Sequence, residues 1–323
     1  MPTKSTTTSE NPIVVYGAIA ANLIIAISKF TAAAFTGSSA MLSEGIHSIT
    51  DTGNQGLILL GLKRSKKPAD ELHPFGHGQE LFFWSLIVAI LLFGLGGGLS
   101  IYEGITHIQH PSELESPIWN YVVLGIAFVT EGITWFIAFR EIQHQRKPDE
   151  TIWQTIRNSK DPSIYTVLGE DTGALLGIVV AFLGVFLGHQ LDMPILDGVA
   201  SLTVGLILVT IALFLVYESK NLIVGESMDP DLVAKVQQIT QSDPAVDQVR
   251  EILTMHLAPN DVLLNMDVGF RPNLHGSELA LAIGRLETNI RQKTPVVKRI
   301  FIEAKSMKPQ SDSTELINHS HPP

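Results

Sequence analysis

The chain has 323 residues, with 32 Asp and Glu against 22 Lys and Arg and a formal net charge of −10. This balance argues against nucleic-acid binding, which requires a basic surface. There is no cysteine, so disulfides and thiolate metal sites are excluded and any metal must be bound by His, Asp, Glu and weaker oxygen donors. Apolar stretches of membrane-spanning length fill residues 12–225, whereas the remainder has the mixed pattern of a soluble domain.

The first two predicted spans follow a polar, cytoplasmic tail at residues 1–11. Span one, Pro12–Phe35, is too long for the h-region of a signal peptide, so we expect it to be retained. Span two, Ser39–Gly61, contains His47 and Asp51, which share one helix face. An ionisable residue at bilayer depth costs at least ~2.5 kcal/mol unless it is paired or lines a water-filled cavity. This face is therefore predicted to be half of a metal site.

Four further apolar stretches complete a predicted all-α six-helix transmembrane bundle. They run from about Leu81–Ile105, Trp119–Phe139, Ser163–Leu187 and Ile195–Tyr217. The connections after spans two and four are basic, whereas residues 106–118 and the connection between spans five and six contain no Lys or Arg. The positive-inside rule therefore predicts that both termini are cytoplasmic. We expect an integral protein in contact with membrane lipid, located in the bacterial inner (plasma) membrane.

Span five carries acids that would complete the site begun on span two. Glu170 and Asp171 lie in an apolar helix and point about 100° apart, so only one of them shares a face with Thr166. Coordination by His47, Asp51 and Glu170 would nearly complete a tetrahedral divalent site and leave a position for water. The alternative is that the two acids join helices by accepting hydrogen bonds from Ser, Thr and Asn donors.

A small cytoplasmic α+β domain is predicted over residues 226–306. Helical spacing alternates with strand patterns in the order αββαβ, a ferredoxin-like or metallochaperone-like arrangement. The elements are predicted at Asp229–Ser242, Val246–Leu257, Asp261–Phe270, Ser277–Lys293 and Val297–Lys305. Residues 307–323 form a polar tail that we expect to be disordered, with His319 and His321 solvated.

Three features make the chain similar to the cation diffusion facilitator family of proton-coupled zinc transporters. They are His47 and Asp51 on span two, the corresponding positions Thr166 and Glu170 on span five, and the loop PADELHPFGHG between spans two and three. The stretches SEGIHSITDTGNQ and VLGEDTGAL further resemble the subgroup that includes the animal mitochondrial and nuclear-associated members. The resemblance covers nearly the whole chain.

The resemblance implies a central transport site with four ligands, two on each helix. Thr166 stands where the family usually has His or Asp, and water, Asp171 or Ser43 could complete the site instead. Sliding the match by one residue would make Asp171 the acid and put Val167, which cannot bind metal, at the other position. Zinc is the leading metal, but an oxygen-richer site also suits manganese, cobalt or ferrous iron.

The loop between spans two and three matches a second zinc site of the family, at Asp70, His73 and His77. The resemblance leaves open whether such an ion would be structural, regulatory or a delivery station. Alternatively, the two histidines only form hydrogen bonds to the start of span three or contact the neighbouring domain.

In the family the C-terminal domain dimerises and often binds zinc between protomers. Aligning the strands by pattern puts Arg250, Met266, Glu303 and Lys305 where ligands would be expected, so we predict no binuclear site there. A homodimer is still expected, because the apolar face of the sheet needs a partner.

The family resemblance implies alternating access and exchange of Zn²⁺ for protons, with no organic cofactor and no enzymatic activity. Metal binding to a neutral His47 and ionised carboxylates displaces protons. An intramembrane metalloenzyme would need a base beside the metal, and no HExxH occurs in the sequence. A metal-gated channel or sensor would use the same ligands without needing proton exchange.

Overall fold

The computed structural model describes residues 12–111, 117–146, 150–158 and 160–305. The predicted tails, including His319 and His321, lie outside the described residues. The chain divides into two compact units, the first ending at Val224 and the second beginning at Gly225.

The first unit is helical. Its helices are α1 Pro12–Thr36, α2 Ser39–Ser65, α3 Glu80–Leu91, α4 Leu99–Gln109, α5 Ile118–Gln145, the short α6 Ile152–Asn158, α7 Pro162–Gln190 and α8 Ile195–Val224. A π-helical segment, Leu92–Gly98, joins α3 to α4 without a break. Such bulges are frequent at functional sites, and glycine makes this one sterically easy.

Four helical stretches of the described chain are long and apolar enough to cross a membrane. They are Glu80–Gln109, Ile118–His144, Pro162–Gln190 and Ile195–Val224. These coincide with predicted spans three to six, which are thereby confirmed as apolar helices. In α1, an apolar helical stretch runs over Asn22–Thr36. α2 is too polar for the same criterion, because Glu44, His47 and Asp51 interrupt its apolar residues, and its crossing remains a prediction.

The start of α2 is fixed by a carboxylate from another helix. Gly37 turns the chain with a φ of +67°, a left-handed conformation that glycine adopts without steric cost. Asp197 of α8 then accepts hydrogen bonds from Ser38 Oγ at 2.6 Å, from the Ser39 amide at 2.5 Å and from the Ala40 amide at 3.2 Å. An acid in this position satisfies unpaired amides and complements the helix dipole. This capping anchors the N-terminal end of α2 to α8.

Glycines allow α4 and α8 to touch through their backbones. A Cβ on Gly205 of α8 would lie 2.7 Å from the Ile101 amide nitrogen and 2.9 Å from the Gly97 carbonyl oxygen. One turn along, a Cβ on Gly104 would collide with the backbone of Leu202. Small residues let membrane helices approach closely enough to pack without a hydrophobic driving force. The α4–α8 pair therefore has no room for even one added methyl group.

The second unit contains the elements in the order αββαβ. They are α9 Pro230–Gln241, β1 Val246–Ala258, β2 Asp261–Phe270, α10 Gly276–Lys293 and β3 Val297–Lys305. β2 lies in the middle of the sheet, antiparallel to β1 and parallel to β3. The core between helices and sheet includes Leu264, Met266 and Leu286. Met266, at a position where the family resemblance would place a metal ligand, thus belongs to this core.

Because α4 and α8 approach closely at Gly104, a larger side chain at this position should lower the stability of the protein. Gly104→Val should destabilise the protein by about 1–3 kcal/mol, because the backbones would have to separate. Thermal unfolding of the purified protein in detergent measures the change. Gly132→Val is the matched control, since a Cβ at Gly132 of α5 meets nothing within 4 Å. Equal midpoints for the two variants would contradict the packing described.

Candidate metal centre

The buried polar face of α2 carries the ligands predicted from the sequence. His47 is fully buried and Asp51 is 8% exposed, with His47 Nε2 lying 3.3 Å from Asp51 Oδ2. Both ring nitrogens of His47 and Oδ1 of Asp51 are buried without a hydrogen-bond partner among the described residues. Each such atom costs about 1–3 kcal/mol. A bound cation would satisfy Asp51 Oδ1 and the one His47 nitrogen that carries a lone pair, and so the pair fits a metal ligand set.

Helix α7 brings a second set of buried oxygens to α2. Thr166 is fully buried, Glu170 is 3% exposed and Asp171 is 8% exposed. Asn54, one turn beyond Asp51, donates a hydrogen bond of 2.6 Å from Nδ2 to Glu170 Oε1. Within the described part of the chain, Thr166 Oγ1 and Asp171 Oδ2 have no hydrogen-bond partner. The acidic position of α7 therefore lies within one helical turn of the His47–Asp51 pair.

The predicted central ligands are close but are not assembled around one point. Among the described residues, only Asp70, His73 and His77 place three His or acid ligand atoms within 4.8 Å of one another. Zinc requires ligand distances near 2.0–2.2 Å. His47, Asp51 and Glu170 would have to converge further. Their shared coordination of a metal stays a prediction.

The loop between α2 and α3 brings its three predicted ligands together. Asp70 Oδ1 lies 3.1 Å from His73 Nδ1, and Oδ2 lies 3.4 Å from His77 Nε2. Gly76, at a φ of +81°, turns the chain between the histidines. Since the Pro68 carbonyl lies 3.1 Å from His77 Nδ1 and can only accept a hydrogen bond, Nδ1 must carry the proton. This leaves the lone pair on Nε2, facing Asp70, free to bind a metal.

Electrostatics also favour a cation in the loop. The backbone amide of His73, 2.7 Å from Asp70 Oδ1, is the main cause that holds the pKa of Asp70 below its usual range, with the His73 side chain as a further contributor. The carboxylate is therefore ionised at neutral pH and remains so under mildly acidic conditions. The side chains of Asp70 and His73 are about half exposed, so an ion can reach them from solvent.

A buried ion pair that the sequence analysis did not assign lies next to the central ligands. Lys29 of α1 and Glu44 of α2 are both fully buried, with Lys29 Nζ 2.9 Å from Glu44 Oε2 and 2.8 Å from Ser48 Oγ. A Cβ on Gly177 of α7 would collide with Glu44 Oε1, so the glycine allows α7 to pack against this ion pair. Because Ser48 follows His47 directly, this network fixes the turn of α2 that carries the histidine.

The Lys29–Glu44 pair predicts strong energetic coupling. Lys29→Met should cost about 3–5 kcal/mol, because it leaves Glu44 buried without its counter-charge. The double variant Lys29→Met/Glu44→Leu should recover most of that loss. Thermal unfolding in a double-mutant cycle measures the coupling. The control is Lys220→Met, which removes an exposed lysine of α8. Strictly additive effects of the two buried substitutions would contradict the pairing.

Comparison with known proteins adds independent information. Residues 15–224 match the family model described as the cation efflux transmembrane domain. The chain is 35% identical over 258 residues to the "Proton-coupled zinc antiporter SLC30A9, mitochondrial" of Mus musculus, which covers 80% of this chain and 46% of that protein. The chain thus spans about half the length of this curated relative. Similarity to the relative therefore concerns the shared half alone.

Two further comparisons concern the metal and the second unit. The "Manganese efflux system protein MneP" of Bacillus subtilis (strain 168) is 27% identical over 259 residues, or 77% of this chain and 82% of that protein. A solved MamM CTD variant in its nickel form covers 25% of this chain and 100% of that one, with 12% identity and a TM-score of 0.23. That score is too low to support a conclusion about the second unit.

Proposed function

This chain belongs to the cation efflux family, and from that premise we propose that it exports a divalent metal ion, foremost Zn²⁺, in exchange for protons. Metal transport through a membrane is the activity common to the family, and it is not an enzymatic one. The observation that carries the proposal is the buried pair His47 and Asp51, whose ligand atoms lack hydrogen-bond partners among the described residues. A polar helix face of this kind inside an apolar bundle costs free energy unless its ionisable groups are paired, bind an ion or line a water-filled cavity.

We propose that all six long helical segments cross the membrane, with both termini in the cytoplasm of a bacterial inner membrane. Helix α2 has 27 residues and so a length of about 40 Å, enough to span the hydrocarbon core. Its low hydropathy does not oppose this, because Glu44, His47 and Asp51 are buried against other helices rather than facing lipid. The basic connections after α2 and α5 support the orientation.

The proposed transport site lies between α2 and α7. His47, Asp51 and Glu170 provide one imidazole and two carboxylates, and Thr166 or Asp171 completes the coordination. Glu170 accepts a hydrogen bond from Asn54. Metal binding would replace that hydrogen bond with a metal bond and so draw α7 towards α2. This exchange offers a local step that distinguishes the two states of an alternating-access transporter.

Proton exchange follows from the chemistry of these ligands. Metal binds to the neutral imidazole of His47 and to ionised carboxylates, so each binding event displaces the protons that these groups carried. On the outer side, incoming protons compete for the same atoms and release the metal. The Asp70–His73–His77 loop, at the cytoplasmic end of α2 in the proposed orientation, would hold a zinc ion that is structural, regulatory or awaiting delivery.

The ligand set favours zinc without restricting the site to it. His47 is the one nitrogen ligand proposed, and imidazole suits zinc, whereas the surrounding oxygens also suit manganese, cobalt or ferrous iron. The relatives reflect this range, since one is a zinc antiporter and another a manganese efflux protein. Mn²⁺, Co²⁺ and Fe²⁺ are therefore the alternative cargoes for the same mechanism.

We propose a homodimer formed through the second unit. Leu253 of β1 and Phe301 of β3 both pair with Asn265 of β2, so the three side chains form one row across the sheet. Leu253 is 53% exposed and Phe301 is 52% exposed. Two large apolar residues exposed on one sheet face, on either side of Asn265, favour a covering surface, which a second copy of this chain would supply.

The central site predicts the effect of removing one carboxylate from either helix. In proteoliposomes with an imposed pH gradient, Asp51→Ala and Glu170→Ala should each lower Zn²⁺ flux about 10-fold or more. Removing a group that only supports a metal ligand already costs about that much, and these two residues are proposed to bind the metal directly. Flux of the parent protein should reverse when the gradient is reversed. Uptake of Zn²⁺, Mn²⁺, Co²⁺ and Fe²⁺ measured side by side ranks the cargoes.

The control for this experiment is Asp192→Asn, which neutralises an exposed acid between α7 and α8. Its flux should equal that of the parent protein. If Asp51→Ala and Glu170→Ala were both fully active, the assignment of the central site would fail. If flux saturated with Zn²⁺ but ignored the pH gradient, a metal-selective channel would replace the antiporter.

A further inference from the structure

A cavity of about 470 Å³ lies at the end of the first unit where α1 turns into α2. One wall is formed by the turn itself, with Ser38 and Ser39, and the opposite wall by Glu103 and His107 of α4 and by His110, which follows the helix. Glu103 is half-buried and His110 is exposed, so solvent reaches this part of the cavity. The described structure thus places one acid and two imidazoles around a space large enough for a hydrated ion.

Glu103 and His107 share one face of α4, because residues four apart lie on the same side of a helix. His110 follows directly after the helix, which ends at Gln109, and lines the same cavity. His107 is only 7% exposed, and its Nε2 is buried without a hydrogen-bond partner among the residues that the structure describes. Asp197, the other nearby acid, accepts hydrogen bonds from Ser38 and Ser39. It is therefore already engaged, whereas His107 is available.

The cavity lies at the opposite end of α2 from the Asp70–His73–His77 loop. Its inner wall includes Phe30 and Leu42. The Phe30 ring packs so closely on Gly45 that a Cβ there would lie 3.1 Å from it, and Leu42 precedes His47 by five residues, about 7.5 Å along the helix. Two apolar side chains thus separate the cavity from the proposed transport site.

We propose that Glu103, His107 and His110 form a binding site for a divalent cation. A carboxylate and two imidazoles are zinc ligands of ordinary type. Their ligand atoms do not form one of the tight groups found among the described residues, so the three side chains would have to converge on the ion as it binds. The role of this site as a transit station for metal leaving His47 and Asp51 rests on the proposed function; the binding itself does not.

Zinc binding to the purified full chain tests this site without any transport. In a background of Asp51→Ala and His73→Ala, which removes ligands of the other two sites, equilibrium dialysis up to millimolar Zn²⁺ should detect a further bound ion. Adding His107→Gln or His110→Gln should weaken that binding about 10-fold or more. His189→Gln, which removes an exposed histidine at the end of α7 that does not line the cavity, should leave it unchanged.

Two results would overturn the proposal. One is the absence of further Zn²⁺ binding in the background protein, and the other is equal binding by the His107, His110 and His189 variants. Thermal unfolding checks the fold of each variant, and the exposed His110 provides a test that does not disturb the buried core. Because dialysis requires no flux, an inactive transporter could still bind zinc here, and an active one could fail to bind it.

Discussion

The burial of the polar face of α2 is the constraint on which the rest of the first unit depends. Most of its polar groups are compensated by another helix: Glu44 by Lys29 of α1, and Asn54 by Glu170 of α7. Its first amides are capped by Asp197 of α8. Among the described residues, Glu44 and Asn54 each keep one buried side-chain atom without a partner, whereas His47 lacks a hydrogen bond at both ring nitrogens and Asp51 Oδ1 lacks one beside it. The cost of burial therefore points to the His47–Asp51 pair as the place where a cation would bind.

Helices around α2 differ in how firmly they are joined. The α4–α8 contact depends on glycines such as Gly104 and Gly205 that leave no space for movement without separation. Between α2 and α7, by contrast, Asn54 and Glu170 share a hydrogen bond that a metal ion could replace. Under the proposed mechanism, the closely packed pair would serve as a frame, and the exchangeable contact would respond to the cargo.

Sequence reasoning identified the apolar helices and the polar faces, because hydrophobic periodicity is a local property. The ionisable residues of α2 indicated a buried helix that hydropathy alone does not detect. A hydrogen bond from an asparagine to the acids of α7 was one of the two alternatives that the sequence left open, and Asn54 forms it with Glu170. The pairing of Lys29 with Glu44 and the cavity beside His107 could not be predicted, since they depend on which helices meet and in what rotation. For the role of Asn54, the sequence offered one signal: its side-chain amide lies three residues after Asp51 and so on the same side of α2.

Binding of the metal between α2 and α7 is tested most directly by X-ray absorption at the zinc edge. The sample is the full chain carrying His73→Ala and His107→Ala, loaded with one Zn²⁺ per chain. We expect a first coordination shell with a single imidazole nitrogen and otherwise oxygen ligands, and loss of the nitrogen signal when His47→Ala is added. Two or more imidazoles in the shell, or a spectrum unchanged by His47→Ala, would contradict the proposed site.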